Sequence, residues 1–197
     1  MHSAWHIQPS DEPAAARLAN ALALPLELAR ILIQRGVVDA EAARAFLEPT
    51  LEQLPAPETL DSLTLAAARV AEAVVAGQRI LVFGDYDADG VTATALLTDF
   101  LQQAGASVTA YIPDRRQEGY GLQPRHVVDP AEAEGCRLIV TVDCGAASHA
   151  AVAEARRRGI DVVVTDHHLP DAAELPAAAV VNPRQGAPGA ALASLAG

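Results

Sequence analysis

An α/β fold is predicted, a parallel sheet with helices on both faces preceded by a small helical leader, and three observations predict it. Short β-branched runs recur at residues 80–83, 107–112, 138–142 and 161–165, with a weaker one at 178–181. Helical stretches at 91–104 and 148–158 alternate with them, closed by Gly105 and Gly159. The runs are apolar on both sides rather than alternating, as in strands buried between two layers of helices.

The leader covers residues 1–60. Pro25 suits the first turn of a helix whose apolar face holds Leu26, Ile31 and Leu32 and which Gly36 ends. Asp39 caps a second helix over 41–47, stopped by Pro49. Three prolines between 48 and 60, with little apolar periodicity, mark a linker. Asp61 or Ser62 then caps a third helix that runs to Ala76 and closes at Gly77, opening the second domain, 61–197.

The 197 residues are 51% apolar, enough for a sizeable core, and no window approaches a membrane span. Residues 1–10 lack the basic and apolar regions of a secretory signal, so the expectation is a cytoplasmic protein with no membrane partner. Cys136 and Cys144 are too sparse for a disulfide framework or a zinc cluster. The formal net charge is −11, and every one of the bases is Arg. An acidic chain is a poor non-specific binder of nucleic acid, but carboxylates gathered around cations inflate the negative count.

In an open parallel sheet, ligands bind beyond the carboxyl ends of the strands. Three of those ends carry chemistry. Gly84-Asp85-Tyr86-Asp87-Ala88-Asp89-Gly90 follows the first run, Asp143-Cys144-Gly145 the third, and Asp166-His167-His168 the fourth. Five carboxylates and two imidazoles therefore share one sheet edge. Like charges at that density stay ionised only with cations among them. Mixed Asp and His ligands favour Mn²⁺, with Mg²⁺ or Zn²⁺ as alternatives, and two ions are needed to use the whole set.

Each piece has a blander reading. Asp-x-Asp-x-Asp-Gly also opens a calcium-binding EF-hand loop, but position 12 here is Leu96, where that loop needs Glu, and a strand precedes it. Asp143 before Gly145 suits a strand-end turn, and a lone His-His pair is common filler. Their joint placement at strand ends favours a site. Cys144 has no partner base and reads as packing; Ser148 reads as a helix N-cap; Arg156, Arg157 and Arg158 suit a helix C-terminus. His2, His6, His126 and His149 carry no pattern.

These three segments resemble motifs I, II and III of the DHH phosphoesterases. Residues 28–36 and 42–49 of the leader, residues 112–122 (Ile-Pro-Asp-Arg-Arg-Gln-Glu-Gly-Tyr-Gly-Leu) and residues 138–149 are similar to the branch of bacterial single-strand-specific 5′→3′ DNA exonucleases. The resemblance runs from about Trp5 to Gly197. Smaller members of the family place a His two residues ahead of the motif I acids, where this chain has Phe83.

The resemblance implies two-metal hydrolysis of phosphodiesters in DNA repair and recombination, with Mn²⁺ or Mg²⁺ as cofactors. It implies Asp87, Asp89, Asp143 and His167 as ligands, Asp143 bridging, and Asp85 as a further ligand or support. Asp166 is expected to orient His167 through its other ring nitrogen, and His168 to touch the scissile phosphate. Asp143, Asp166 and His168 are thus the catalytic candidates. Arg115 and Arg116 are expected to grip a phosphate and Tyr120 to stack on a base, in a groove for single-stranded DNA. Single-strand-binding protein and a helicase are the expected partners. The family's fourth motif lies further downstream, and Ser194 to Gly197 resemble the start of the segment before it, so the chain is expected to be an N-terminal fragment, folded but nearly inactive alone. Two rival readings are a DHH-type phosphodiesterase of short oligonucleotides or dinucleotides and a non-catalytic scaffold; the retained acids and the leader speak against both.

Overall fold

The computed structural model describes residues 8–54 and 56–185. The chain forms two compact units, 1–54 and 55–197.

The first unit is helical. Helices α1 (Glu12–Leu22), α2 (Leu26–Gln34) and α3 (Ala40–Leu47) pack around Ala15, Leu18, Ala29, Leu32 and Ala43. The fully buried alanines let the helix backbones approach closely, while the two leucines fill the remaining space. Asp11 and Asp39 cap α1 and α3, accepting the amides of Ala14 and Ala42 at 3.0 and 2.8 Å. Helix α1 was not among the expected elements, although Asp11 followed by Pro13 is a start signal. Pro25 occupies the N-cap of α2 rather than its first turn.

The second unit is the α/β domain. Its elements are α4 (Leu63–Val75), β1 (Arg79–Gly84), α5 (Ala88–Gln103), β2 (Ser107–Tyr111), α6 (Pro124–His126), β3 (Leu138–Val142), α7 (His149–Arg157), β4 (Asp161–Thr165) and β5 (Ala179–Val181). All strands are parallel, in the order β2-β1-β3-β4-β5. Because side chains alternate across a strand, each one feeds two cores. Ile80, Val82, Leu138, Val140 and Val163 face the layer of α4 and α5, with Ala66, Ala73 and Leu101. Leu81, Phe83, Ile139, Val162 and Val164 face the layer of α7 and residues 127–131.

Three local expectations are corrected. Neither Asp61 nor Ser62 caps α4: Ser62 takes a left-handed backbone at φ 62° and its side chain makes no capping bond. Helix α5 begins at Ala88 rather than Val91, because Asp87 serves as its N-cap. Ser148 stands at the N-cap position of α7 without a capping hydrogen bond. Residues 124–132, to which the sequence pattern assigns no element, form α6 and a wide helical turn. His2, His6, Trp5 and the segment from Ser194 to Gly197 lie outside the described residues.

Candidate metal centre and substrate loop

Register brings the acids together. Gly84 of β1 pairs with Val142 of β3, and Val142 with Thr165 of β4. The next residues, Asp85, Asp143 and Asp166, therefore leave the sheet at one level on adjacent strands, about 4.8 Å apart between strands. All three are buried, with relative exposures of 5%, 1% and 4%.

The turn from β1 into α5 depends on two close approaches. A Cβ on Gly90 would stand 2.5 Å from the Asp85 carbonyl oxygen, and one on Gly84 would overlap Thr94 Oγ1. With nothing larger than hydrogen there, α5 starts directly above the strand. Asp87 Oδ1 then accepts the amides of Asp89 and Gly90 at 3.0 and 3.1 Å. Those amides, that of Gly90 foremost, hold the Asp87 carboxyl below the ordinary range.

Beyond β3, Asp143 takes a left-handed backbone at φ 58°, a conformation that side-chain-bearing residues rarely adopt. His167 Nε2 lies 3.0 Å from Asp143 Oδ1 and 3.8 Å from Asp89 Oδ2. The first contact is not aligned as a hydrogen bond, so Asp143 Oδ1 lacks a hydrogen-bond partner, as does the buried Oδ1 of Asp85. The Asp143 carboxyl is pushed up to about 6, by burial first and by the neighbouring Asp89 and Asp87 carboxylates next, with His167 opposing them. Burial likewise raises Asp85.

Beyond β4, Asp166 ties its own turn to the loop after β3. Its Oδ2 accepts the Ala146 amide at 2.7 Å, and Oδ1 accepts the amides of His167 and His168 at 2.7 and 3.0 Å. Asp166 Oδ1 also lies 2.7 Å from His168 Nδ1. The carboxylate thus orients His168, not His167 as the sequence suggested: the two backbone amides wrap around it and bring the second ring's Nδ1 to Oδ1. Asn182, after β5, donates to the His168 carbonyl at 2.9 Å.

Two sets of potential ligand atoms result, Asp85, Asp87 and Asp143 in one and Asp143, His167 and His168 in the other, each with its atoms within 4.8 Å of one another. Asp143 belongs to both. Buried carboxylate oxygens without donors, beside a neutral-capable imidazole, fit a divalent cation. Asp89 borders the second set through His167.

Residues 112–123 lean over this edge. The Arg115 guanidinium lies 5.2 Å from the centroid of the Tyr86 ring, and Tyr86 meets Tyr120 edge-on at 6.5 Å. The Tyr120 hydroxyl is 3.1 Å from His168 Nδ1 and 3.4 Å from the Asp143 carbonyl oxygen. Arg116 stays outside: its amide donates to Asp114 Oδ1 at 2.8 Å, but its side chain has no partner among the described residues. Cys144 is buried, its Sγ 3.9 Å from the Phe83 carbonyl oxygen. The arginines stand at the C-terminus of α7, as the sequence suggested, Arg156 and Arg157 in its last turn and Arg158 at its C-cap, and Arg157 and Arg158 also pair with Glu154 and Arg158 with Glu132. Sequence reasoning missed Glu118 and His126, whose Oε2 and Nε2 lie 2.9 Å apart beneath this loop.

The model of the DHH family, N-terminal domain, matches residues 79–196. The chain belongs to the DHH family. Among curated proteins, this DHH chain is 38% identical over 182 residues to the single-stranded-DNA-specific exonuclease RecJ of Bacillus subtilis, covering 92% of the chain and 23% of that protein. It is 44% identical over 161 residues to RecJ of Escherichia coli, covering 81% of the chain and 27% of that protein. A crystal structure of RecJ in complex with Mn²⁺ from Thermus thermophilus aligns with a TM-score of 0.63 at 36% identity, covering 87% of this chain and 23% of that one. A manganese-bound structure of exonuclease RecJ aligns with a TM-score of 0.61 at 44% identity, over 66% of this chain and 33% of that one. The chain therefore spans about a quarter of the length of the curated relatives it matches.

Proposed function

We propose that these strand ends form part of a metal-dependent phosphodiesterase site that hydrolyses single-stranded DNA from its 5′ end, in DNA repair and recombination. The observation that carries this reading is the sharing of Asp143 between two sets of ligand atoms, the arrangement a pair of cations bridged by one carboxylate requires. Asp85, Asp87, Asp89, Asp143 and His167 would hold Mn²⁺ or Mg²⁺. Bound there, the ions would supply charge neutralisation for a phosphoryl oxygen and lower the pKa of a water.

The protein's own residues do the rest. Asp166 fixes the His168 ring by accepting from Nδ1, which leaves Nε2 to meet a phosphate. Arg115, exposed and over the Tyr86 ring, offers a guanidinium to the same phosphate, and the exposed Tyr120 offers a ring face to a base. The names of the matched relatives support single-stranded DNA as the substrate. Such strands arise by unwinding, so a helicase and single-strand-binding protein are the proposed partners and the cytoplasm the proposed location. Among the described residues no helix is long and apolar enough to cross a membrane.

Calorimetric titration of Mn²⁺ tests the centre. Asp87→Ala and His167→Ala should each weaken binding by more than about tenfold; equal affinity in all three proteins would sink the reading. For the substrate, Arg115→Ala should lower the slope of log affinity for a single-stranded oligonucleotide against log salt by about one.

A further inference from the structure

Residues 112–123 hold Arg115 and Tyr120 over the carboxylates, yet contain neither helix nor strand. A loop of that length keeps one shape only where something pins it. One side chain gathers the pins. Glu118 Oε1 accepts the Asp114 amide at 2.7 Å, while Oε2 accepts from the Tyr111 hydroxyl at 2.8 Å and from His126 Nε2 at 2.9 Å. Its main-chain carbonyl accepts from Gln123 Nε2 at 2.9 Å and from Arg125 Nη2.

The protonation pattern follows from the geometry. His126 Nδ1 accepts the Gln123 amide at 3.0 Å, so the ring proton sits on Nε2 and points at Glu118. The Asp114 amide holds the Glu118 carboxyl below its ordinary range, and burial does the same to His126, so the pair rests as carboxylate and neutral imidazole. The His126 and Tyr111 rings pack on Phe83, with centroids 4.9 and 5.7 Å away. Phe83 lies two residues before Asp85, so the loop is anchored to the strand that delivers the first carboxylates.

We propose that Glu118 is a positioning residue: by collecting the donors of Asp114, Tyr111 and His126 it ties the 112–123 loop to the end of β1 and holds Arg115 over Tyr86 and Tyr120 against His168. The consequence for substrate grip rests on the reading of this loop given above; the positioning itself does not. A Gln at 118 offers one acceptor oxygen and a new donor to a site that presents three donors, so at least one contact becomes repulsive.

The test has two arms, both on the 197-residue chain. In NMR without nucleic acid, the wild type should show Arg115 δ-protons shifted upfield by the Tyr86 ring and contacts between the Tyr120 and His168 rings. Glu118→Gln should lose both, and Tyr111→Phe, which removes one donor and leaves the rest of the cluster paired, should weaken both. In fluorescence anisotropy with a labelled oligo-dT, Glu118→Gln should bind about tenfold more weakly and Tyr111→Phe about threefold, with Mn²⁺ affinity held within about twofold. Adding Arg115→Ala to Glu118→Gln should bring little further loss, since both act through one guanidinium. Retention of the two NMR signatures in Glu118→Gln overturns the proposal, as do losses that multiply in the double variant. Loss of the signatures with oligonucleotide affinity unchanged in every variant upholds the positioning and overturns the reading of the loop as the grip.

Discussion

The loops after β1, β3 and β4 and the loop after β2 stand on the same sheet edge but are held by different means. The first three are held where they leave the strands largely by main chain: Asp87 binds the amides of α5, Asp166 binds three amides, and Gly84 and Gly90 permit the close approach. The loop after β2 is held largely by side chains, Glu118, His126, Tyr111 and Gln123, packed under it. The first arrangement keeps carboxylates in place while they repel one another. The second carries a guanidinium and a phenol on a support whose strength depends on a few ionisable groups. Main-chain-held carboxylates beside a side-chain-held loop would suit the proposed site, with cations held by the first and a polymer strand met by the second.

That comparison can be broken from either side. On the main-chain side, Gly90→Ala forces a methyl into the Asp85 backbone and should cost about 3 kcal/mol or more, read as a collapse of the thermal transition. Survival of Gly90→Ala with normal melting would show that the β1–α5 turn is not constrained as described. Asp143→Ala, which removes the carboxylate common to both ligand sets, should weaken Mn²⁺ binding by about a hundredfold or more while the fold persists in calorimetry.

On the side-chain side the expected signature is pH. The Glu118 carboxyl lies below its ordinary value of 4.5, so its stabilisation is complete above that pH and is lost as pH falls through the lowered value. His126 lies below 6.5 through burial, so the unfolded chain takes up a proton below that pH which the folded chain refuses. Both act in the same sense, so this pair's contribution to the denaturant midpoint should fall as pH drops from 6.5 through 4.5, opposing that of Asp143 and Asp85, whose raised carboxyls take up protons first in the folded chain. In Glu118→Gln the more acidic part of that fall should disappear; an unaltered profile would place the acid sensitivity elsewhere. The smallest effect is expected from Arg116→Ala, whose side chain has no partner among the described residues: stability should stay within about 0.5 kcal/mol.

Much of the α/β unit was legible because its signals are local. β-Branched runs named all five strands to within a residue or so at each end, and glycines closed the helices between them. The carboxylates were legible because strand ends in parallel sheets carry the ligands, whatever the neighbouring strands turn out to be. Residues 124–132 escaped notice because a histidine with no sequence pattern proved to be a core anchor, whereas helix α1 carried a start signal, Asp11 and Pro13, that went unread.

The sequence by itself determined which residue types stand at each strand end and that their charges call for cations. Tertiary structure decided their order and their partners. Register put Asp143 between Asp85 and Asp166. Packing chose which of two adjacent imidazoles Asp166 orients: His168 Nδ1 is met by Asp166 two residues away and by the Tyr120 hydroxyl 48 residues away. Glu118 and His126, eight residues apart, likewise meet only because the chain between them turns back over Phe83. Such choices are set by contacts between distant segments, each worth little until the sheet has brought the segments together.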